Sequence, residues 1–71
     1  MKLIVERWIV EKDQLEDAEV EKIVEETVVK DEEEAKRVAE EYRAKQDTVR
    51  VTLHYCYNDD DPAKPCERVE I

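Results

Sequence analysis

Residues 48–57 alternate between apolar and polar side chains, and this period of two is typical of a half-buried β-strand. Residues 58–65 are rich in Asn, Asp and Pro, which favour turns, and residues 66–71 form a shorter alternating run. We therefore predict a β-hairpin over 48–71. The apolar residues of its first strand, expected to point one way, are Val49, Val51, Leu53, Tyr55 and Tyr57.

Two matches select the register of this hairpin. If paired residue numbers sum to 122, Leu53 meets Val69 and Cys56 falls opposite Cys66. Directly opposed cysteines on antiparallel strands lie at Cα separations that a disulfide accepts. A cytosolic compartment, in contrast, keeps thiols reduced. The sequence therefore leaves a disulfide between Cys56 and Cys66 and a pair of reduced thiols as equal alternatives.

Residues 2–12 are rich in β-branched side chains and predict a strand, whereas the pattern of residues 20–30 fits either a strand or a helix. Residues 13–19 are polar and are expected to form the loop between them. Pairing the two segments so that residue numbers sum to 32 favours a hairpin, because apolar residues meet apolar ones. Glu6 opposite Glu26 is the unfavourable pair. The favourable pairs are Leu3–Val29, Ile4–Val28, Val5–Thr27, Arg7–Glu25, Trp8–Val24 and Ile9–Ile23.

Residues 31–46 predict an amphipathic helix. Asp31 followed by Glu34 resembles a capping box, and acidic residues suit the first turn. One narrow apolar stripe repeats with helical spacing and would lie on a sheet. The residues of this stripe are Ala35, Val38, Ala39 and Tyr42.

These elements predict one α+β domain over residues 1–71 with the order ββαββ. The simplest arrangement is a four-stranded antiparallel sheet of order 2-1-3-4 with the helix on one face. We expect Leu3, Val5 and Ile9 to face the helix, which cannot cover the other side of the sheet as well. An uncovered apolar patch that contains a tryptophan is typical of a partner or dimer surface. The residues expected in this patch are Ile4, Trp8, Val10, Val24 and Val28.

The net charge of −9 is concentrated in residues 11–34, which hold twelve acidic residues against three lysines. Direct binding to nucleic acid or to an anionic membrane is disfavoured, because both need a basic face. A basic protein partner is favoured. Charged residues also interrupt the apolar N-terminal run, so we predict no membrane segment and a cytoplasmic location. The residues predicted to bind the partner are Trp8, Ile4, Glu19, Glu21, Glu25 and Glu26.

Several kinds of chemistry are excluded or disfavoured by residue type and spacing. The chain has neither Gly nor Ser, so phosphate-cradling loops and serine nucleophiles are excluded. His54 and Cys56 stand about 6.6 Å apart along a strand, too far for direct proton transfer. Together with Cys66 they could supply three zinc ligands, but without the familiar paired spacing. We therefore favour a surface histidine beside a thiol pair, and predict no metal, no cofactor and no enzymatic activity.

The segment TVVKDEEEAKRVAEEYRAK, residues 27–45, resembles the strand-to-helix junction of small ββα-containing proteins of phages and mobile elements. DpnD/PcfM-like proteins and some small anti-defence inhibitors share this layout. The resemblance covers under a third of the chain and does not include the hairpin that carries the cysteines. It implies a small accessory or inhibitory protein and transfers no site residues.

We therefore expect a non-catalytic interaction protein that binds a basic or nucleic-acid-binding protein, in the manner of a phage-type inhibitor. Carboxylates on alternate strand residues stand about 6.6 Å apart, a spacing similar to that of successive phosphates, so they could mimic nucleic acid. Two alternatives remain open. One is a structural, homodimeric module that uses the uncovered sheet face, and the other is an engineered scaffold or binder.

Overall fold

Four strands and one helix follow one another in the order ββαββ, as predicted. The structure is a computed structural model and describes residues 2–13, 15, 18–57, 63 and 65–71. The elements are β1 (Lys2–Asp13), β2 (Ala18–Val29), α1 (Glu32–Arg43), β3 (Thr48–Cys56) and β4 (Glu67–Glu70). The predicted turn over 58–65 falls mostly outside the described residues. The loop predicted over 13–19 is shorter than expected, because residues 13, 18 and 19 belong to the strands; residues 14, 16 and 17 lie outside the described residues.

The strands form one antiparallel sheet of order β2-β1-β3-β4, which confirms the predicted arrangement. β1 is hydrogen-bonded on both sides, and β2 and β4 are the two edge strands. α1 packs on one face of the sheet, against β1, β2 and β3. No helix in the described part of the chain is long and apolar enough to span a membrane.

The predicted pairing of β1 with β2 is confirmed from Leu3–Val29 to Arg7–Glu25 and is wrong beyond that point. Trp8 pairs with Ile23 instead of Val24. The pairing shifts there because β2 contains one extra residue, a β-bulge, and such bulges are used to bend a strand and increase its twist. An apolar match between two segments cannot reveal this extra residue, because Ile23 and Val24 are equally good partners for Trp8.

A second irregularity lies on the other side of Trp8. Trp8 pairs with Arg50 and Ile9 pairs with Thr48, so Val49 has no partner residue in β1. Val49 is 49% exposed while Val51 is buried, so the predicted regular alternation, in which Val49 and Val51 point the same way, is wrong at Val49. The alternation of β3 is broken at this bulge, while the segment from Val51 onwards keeps its period of two.

The predicted hairpin register of β3 and β4 is confirmed. Leu53 pairs with Val69 and His54 pairs with Arg68. The backbone N–H of Ile71 donates to the carbonyl of Val51 over 3.0 Å, which extends the same register past the end of β4.

The helix forms where the apolar stripe and the capping residues predict it, although it ends at Arg43. The Asp31 carboxylate accepts a hydrogen bond from the backbone N–H of Glu34 over 2.8 Å. The two alanines of the stripe let α1 approach the sheet closely, so the core is thin and continuous. The buried core residues are Leu3, Val5, Val29, Ala35, Ala39, Tyr42, Val51 and Leu53.

Candidate protein-binding face

The sheet face turned away from α1, here called the open face, carries a buried carboxylate at its centre. Leu3 and Val5 point into the core, so Ile4 and Glu6 point to the open face. Glu6 is only 2% exposed. A carboxylate removed from water in this way is stable only if it is paired and hydrogen-bonded.

Side chains from β3 and β4 supply those partners. The Thr52 hydroxyl and Arg68 Nε each donate to Glu6 Oε1 over 2.9 Å. Arg68 Nη2 donates to Oε2 over 3.3 Å, and His54 Nδ1 lies 3.4 Å from the same oxygen. The bidentate contact raises the pKa of Arg68, chiefly through its hydrogen bond to Glu6. No buried polar side-chain atom among the described residues lacks a partner.

Trp8 is tied to this cluster by its indole nitrogen. Nε1 donates to the Thr52 hydroxyl over 2.8 Å, and that hydroxyl in turn donates to Glu6. The hydrogen-bonded chain fixes the ring of a partly buried tryptophan on the open face. A tryptophan held in one orientation is a suitable anchor for a partner, because little side-chain entropy remains to be lost on binding.

The exposed carboxylates of β2 form the border of the open face, and we call Glu19, Glu21 and Glu26 the acidic edge. Glu26 is the cross-strand neighbour of Glu6 and shares its face. Glu21 lies 3.6 Å from Arg50, the partner of Trp8 on that face. Glu19 is two residues further along the same strand. All three side chains are exposed, so their charge is available to a partner.

Glu25, in contrast, lies on the side of the sheet that carries α1. Its carboxylate accepts a hydrogen bond from Arg7 Nε over 3.2 Å and contacts Lys45 Nζ at 2.8 Å. The hydrogen bond from Lys45, helped by Arg7, holds the pKa of Glu25 below its ordinary value. Arg7 is itself nearly buried and also donates to Thr48 Oγ1 over 3.2 Å. Glu25 therefore joins the sheet to the segment after the helix and is separated from the acidic edge.

We expect acid to remove the stabilisation that Glu25 provides. Because folding lowers the pKa of Glu25 from 4.5, the unfolded chain takes up the proton first as the pH falls. The contribution is complete above pH 4.5 and is lost as the pH falls through the lower pKa of the folded state. Urea unfolding of the wild type and Glu25→Gln should therefore give free energies that converge in acid. Glu19→Gln, which changes an exposed acid, should keep the wild-type pH dependence, and a constant difference for Glu25→Gln would contradict the assignment.

Three metal-ligating side chains meet at one end of the open face. A ring nitrogen of His54 and the sulfurs of Cys56 and Cys66 all lie within 4.8 Å of one another. The two sulfurs are 3.4 Å apart and are not joined in a disulfide. The predicted register explains this grouping, since Cys66 lies one step beyond the last pair of the β3–β4 ladder.

The structure thus gathers five of the six residues predicted to bind a partner on the open face or its border. Trp8 and Ile4 lie on β1, and Glu19, Glu21 and Glu26 lie on β2. Val28, the neighbour of Ile4, is 61% exposed and extends the apolar part of this surface. Sequence reasoning treated Glu6 only as a poor pair for Glu26 and missed its role at the centre of the face. The β1–β3 pairing places Thr52 beside Glu6, whereas Arg68 pairs with His54, so the group around Glu6 becomes visible only when three strands are joined.

No protein-family model, curated protein or solved structure gives a significant match to this chain.

Proposed function

We propose that the protein is a non-catalytic interaction module that binds a basic, nucleic-acid-binding protein in the cytoplasm through its acidic edge and open face. The observation that carries this proposal is the position of Glu19, Glu21 and Glu26, three exposed carboxylates along one border of the sheet. They lie beside a tryptophan whose orientation is fixed by a hydrogen bond. This combination offers charge for attraction and an apolar anchor for affinity.

The charge of the whole chain supports the same kind of partner. A net charge of −9 attracts a basic protein at long range and accelerates the encounter at low salt. Arg50 and Arg68 also lie on the open face, but on β3 and β4: Arg68 pairs with Glu6, and Arg50 lies between Glu21 and Glu70. The border formed by β2 is therefore its acidic side, and a groove that normally holds a phosphate backbone would meet this border first.

The backbone of β2 supplies a second means of recognition. β2 has twelve residues, is hydrogen-bonded to β1 along one side and is an edge of the sheet. An edge strand of this length presents unpaired N–H and C=O groups to which an extended partner segment can add. Contact through the backbone would give affinity, and the acidic edge would select a basic segment.

The test compares two triple variants of equal charge. We would capture binding proteins from a lysate on the immobilised wild type, release them with a salt gradient and identify them by mass spectrometry. Each released protein would then be titrated with the wild type and with Glu19→Gln/Glu21→Gln/Glu26→Gln. The matched control is Glu33→Gln/Glu40→Gln/Glu41→Gln, which removes three exposed charges from α1.

We expect the acidic-edge variant to bind about 100-fold more weakly, since each rim charge contributes up to about 1 kcal/mol. The control should lose much less, and the affinity of the wild type should fall as the salt concentration rises. Single-stranded or duplex DNA should compete for the same partner if the carboxylates mimic phosphates. Equal affinity of the wild type and the acidic-edge variant would rule out this function.

A second candidate is a homodimer that pairs β2 with β2, which the exposed valines of this strand favour. Val20, Val24 and Val28 are 46%, 38% and 61% exposed. Antiparallel pairing of two such edges would bury them and close the open edges. Light scattering at high protein concentration distinguishes the candidates, because a persistent monomer removes this one.

A further inference from the structure

The corner of the open face formed by the end of β3 and the residue before β4 combines one imidazole and two thiols. The ligand atoms of His54, Cys56 and Cys66 lie within 4.8 Å of one another. In a tetrahedral zinc site the Zn–S and Zn–N distances of about 2.3 Å and 2.0–2.1 Å bring such ligand atoms to about 3.5–3.8 Å apart. The sulfurs already stand 3.4 Å apart, so only a modest movement of the imidazole is needed.

The buried carboxylate of Glu6 can accept a hydrogen bond from the His54 imidazole, and a metal-binding histidine requires such a partner on its other ring nitrogen. His54 Nδ1 lies 3.4 Å from Glu6 Oε2, and the His54 side chain is only 16% exposed. A neutral imidazole that carries its proton on Nδ1, directed at a carboxylate, leaves the lone pair of Nε2 for a metal. Zinc-binding histidines almost always have such a carboxylate or carbonyl partner, which fixes the ring and increases its basicity.

Two cationic residues are neighbours of the cysteines in the sheet. Lys2 is the cross-strand neighbour of Cys56 in β1. Arg68 lies two residues after Cys66, and its guanidinium is held towards the open face by Glu6. The carboxylate of Glu6 is meanwhile compensated by Arg68, so the site does not carry an unbalanced negative charge.

We propose that His54 Nε2, Cys56 Sγ and Cys66 Sγ bind one Zn²⁺ ion, with water in the fourth position. Binding releases the two thiol protons, and the two thiolates balance the charge of the ion. A soft donor set of two sulfurs and one nitrogen selects zinc over calcium or magnesium, which prefer oxygen ligands. The ion would fix the short edge strand β4 to β3 at a point where the hydrogen-bonded ladder has ended. This proposal is independent of partner binding by the acidic edge.

The experiment uses the full chain, reduced and freed of metal under anaerobic conditions, with Co²⁺ as the spectroscopic probe and Zn²⁺ as the competitor. We expect one Co²⁺ per chain, visible bands of tetrahedral cobalt and near-ultraviolet charge-transfer bands from thiolate ligands, all removed by Zn²⁺. Excess Zn²⁺ should also raise the melting temperature, because it binds the folded state. Cys56→Ser, Cys66→Ser and His54→Gln should each lose most of the affinity. Glu67→Gln, an exposed neighbour of Cys66, is the matched control and should bind as the wild type does.

Glu6→Gln tests the role of the carboxylate behind the histidine. It should keep the stoichiometry and the thiolate bands while binding the metal about 10–100-fold more weakly. Circular dichroism of each metal-free variant shows whether it is folded before metal is added. Failure of the folded, reduced wild type to bind Co²⁺ or Zn²⁺, or binding unchanged by the two serine variants, would overturn the proposal. Rapid formation of a Cys56–Cys66 disulfide in air that Zn²⁺ does not slow would also overturn it.

Discussion

Replacing Arg68 with methionine should lower the free energy of unfolding by about 2–3 kcal/mol, although Arg68 belongs to an edge strand and half of its side chain is exposed. An exposed ion pair contributes only about 0–1 kcal/mol, so the size of the effect comes from Glu6. Glu6 is 2% exposed and cannot turn towards water when its partner is removed. Methionine keeps most of the apolar stem of arginine, so the loss measures the uncompensated carboxylate and little else.

The converse substitution, Glu6→Gln, should cost less, about 1 kcal/mol, because Arg68 can then extend into water and the amide oxygen still accepts from Thr52. The double variant Glu6→Gln/Arg68→Met should be more stable than Arg68→Met alone, with a coupling energy above about 1 kcal/mol. Urea denaturation of the four proteins provides this cycle. Arg37→Met, on the exposed side of α1, is the control and should change stability by less than about 0.5 kcal/mol. If the losses of unfolding free energy in the two single variants add up to the loss in the double variant, Glu6 and Arg68 do not stabilise each other.

Leu53→Ala should lower the free energy of unfolding by about 3 kcal/mol. Leu53 is buried in β3 between Val5 of β1 and Val69 of β4, and its side chain belongs to the core under α1. The core is one layer thick, so the helix cannot settle easily into the space that the side chain leaves. A domain of this size has a total stability of about 4–10 kcal/mol, and the variant would therefore unfold at much lower urea concentration.

Val69→Ala is the matched control for this substitution. Val69 is the direct cross-strand partner of Leu53 but is 47% exposed. Its truncation should cost less than about 1 kcal/mol, because it removes little buried apolar surface. Thermal and urea unfolding should both show Val69→Ala to be more stable than Leu53→Ala. An equal loss of stability in the two variants would show that the core extends beyond the residues assigned to it.

The fold could be predicted from the sequence wherever two independent signals agreed. The stripe of alanines and Tyr42 and the Asp31 cap both indicated the same helix. The match of Leu53 with Val69 and the match of the cysteines both indicated the same hairpin register. The two bulges beside Trp8 could not be predicted, because shifting the pairing by one residue there exchanges Val24 for Ile23 without loss of apolar contact. The alternation at Val49 likewise looked regular in the sequence although the strand is irregular at that point.

The candidate site was predictable in its surface residues and not in its interior. Exposed carboxylates and an uncovered tryptophan follow from the strand pattern alone, and the structure places them together apart from Glu25. The hydrogen-bonded group around Glu6 depends on three strands at once, so no pair of segments reveals it. Glu25 lies on the helix side because it pairs with Arg7, as the predicted register already implied. The contacts of Lys45 with Glu25 and of Asp47 with Arg7 come from the segment after α1, and no local pattern indicates them.

The sheet order also has a consequence for the order of events during synthesis. β1 occupies a central position, but its second neighbour, β3, begins only at Thr48. The hairpin of β1 and β2 therefore leaves the ribosome with Leu3 and Val5 uncovered and with one side of β1 unpaired. Until β3 is made, the hairpin cannot bury these side chains, and the like charge of residues 11–34 opposes the association of two such hairpins.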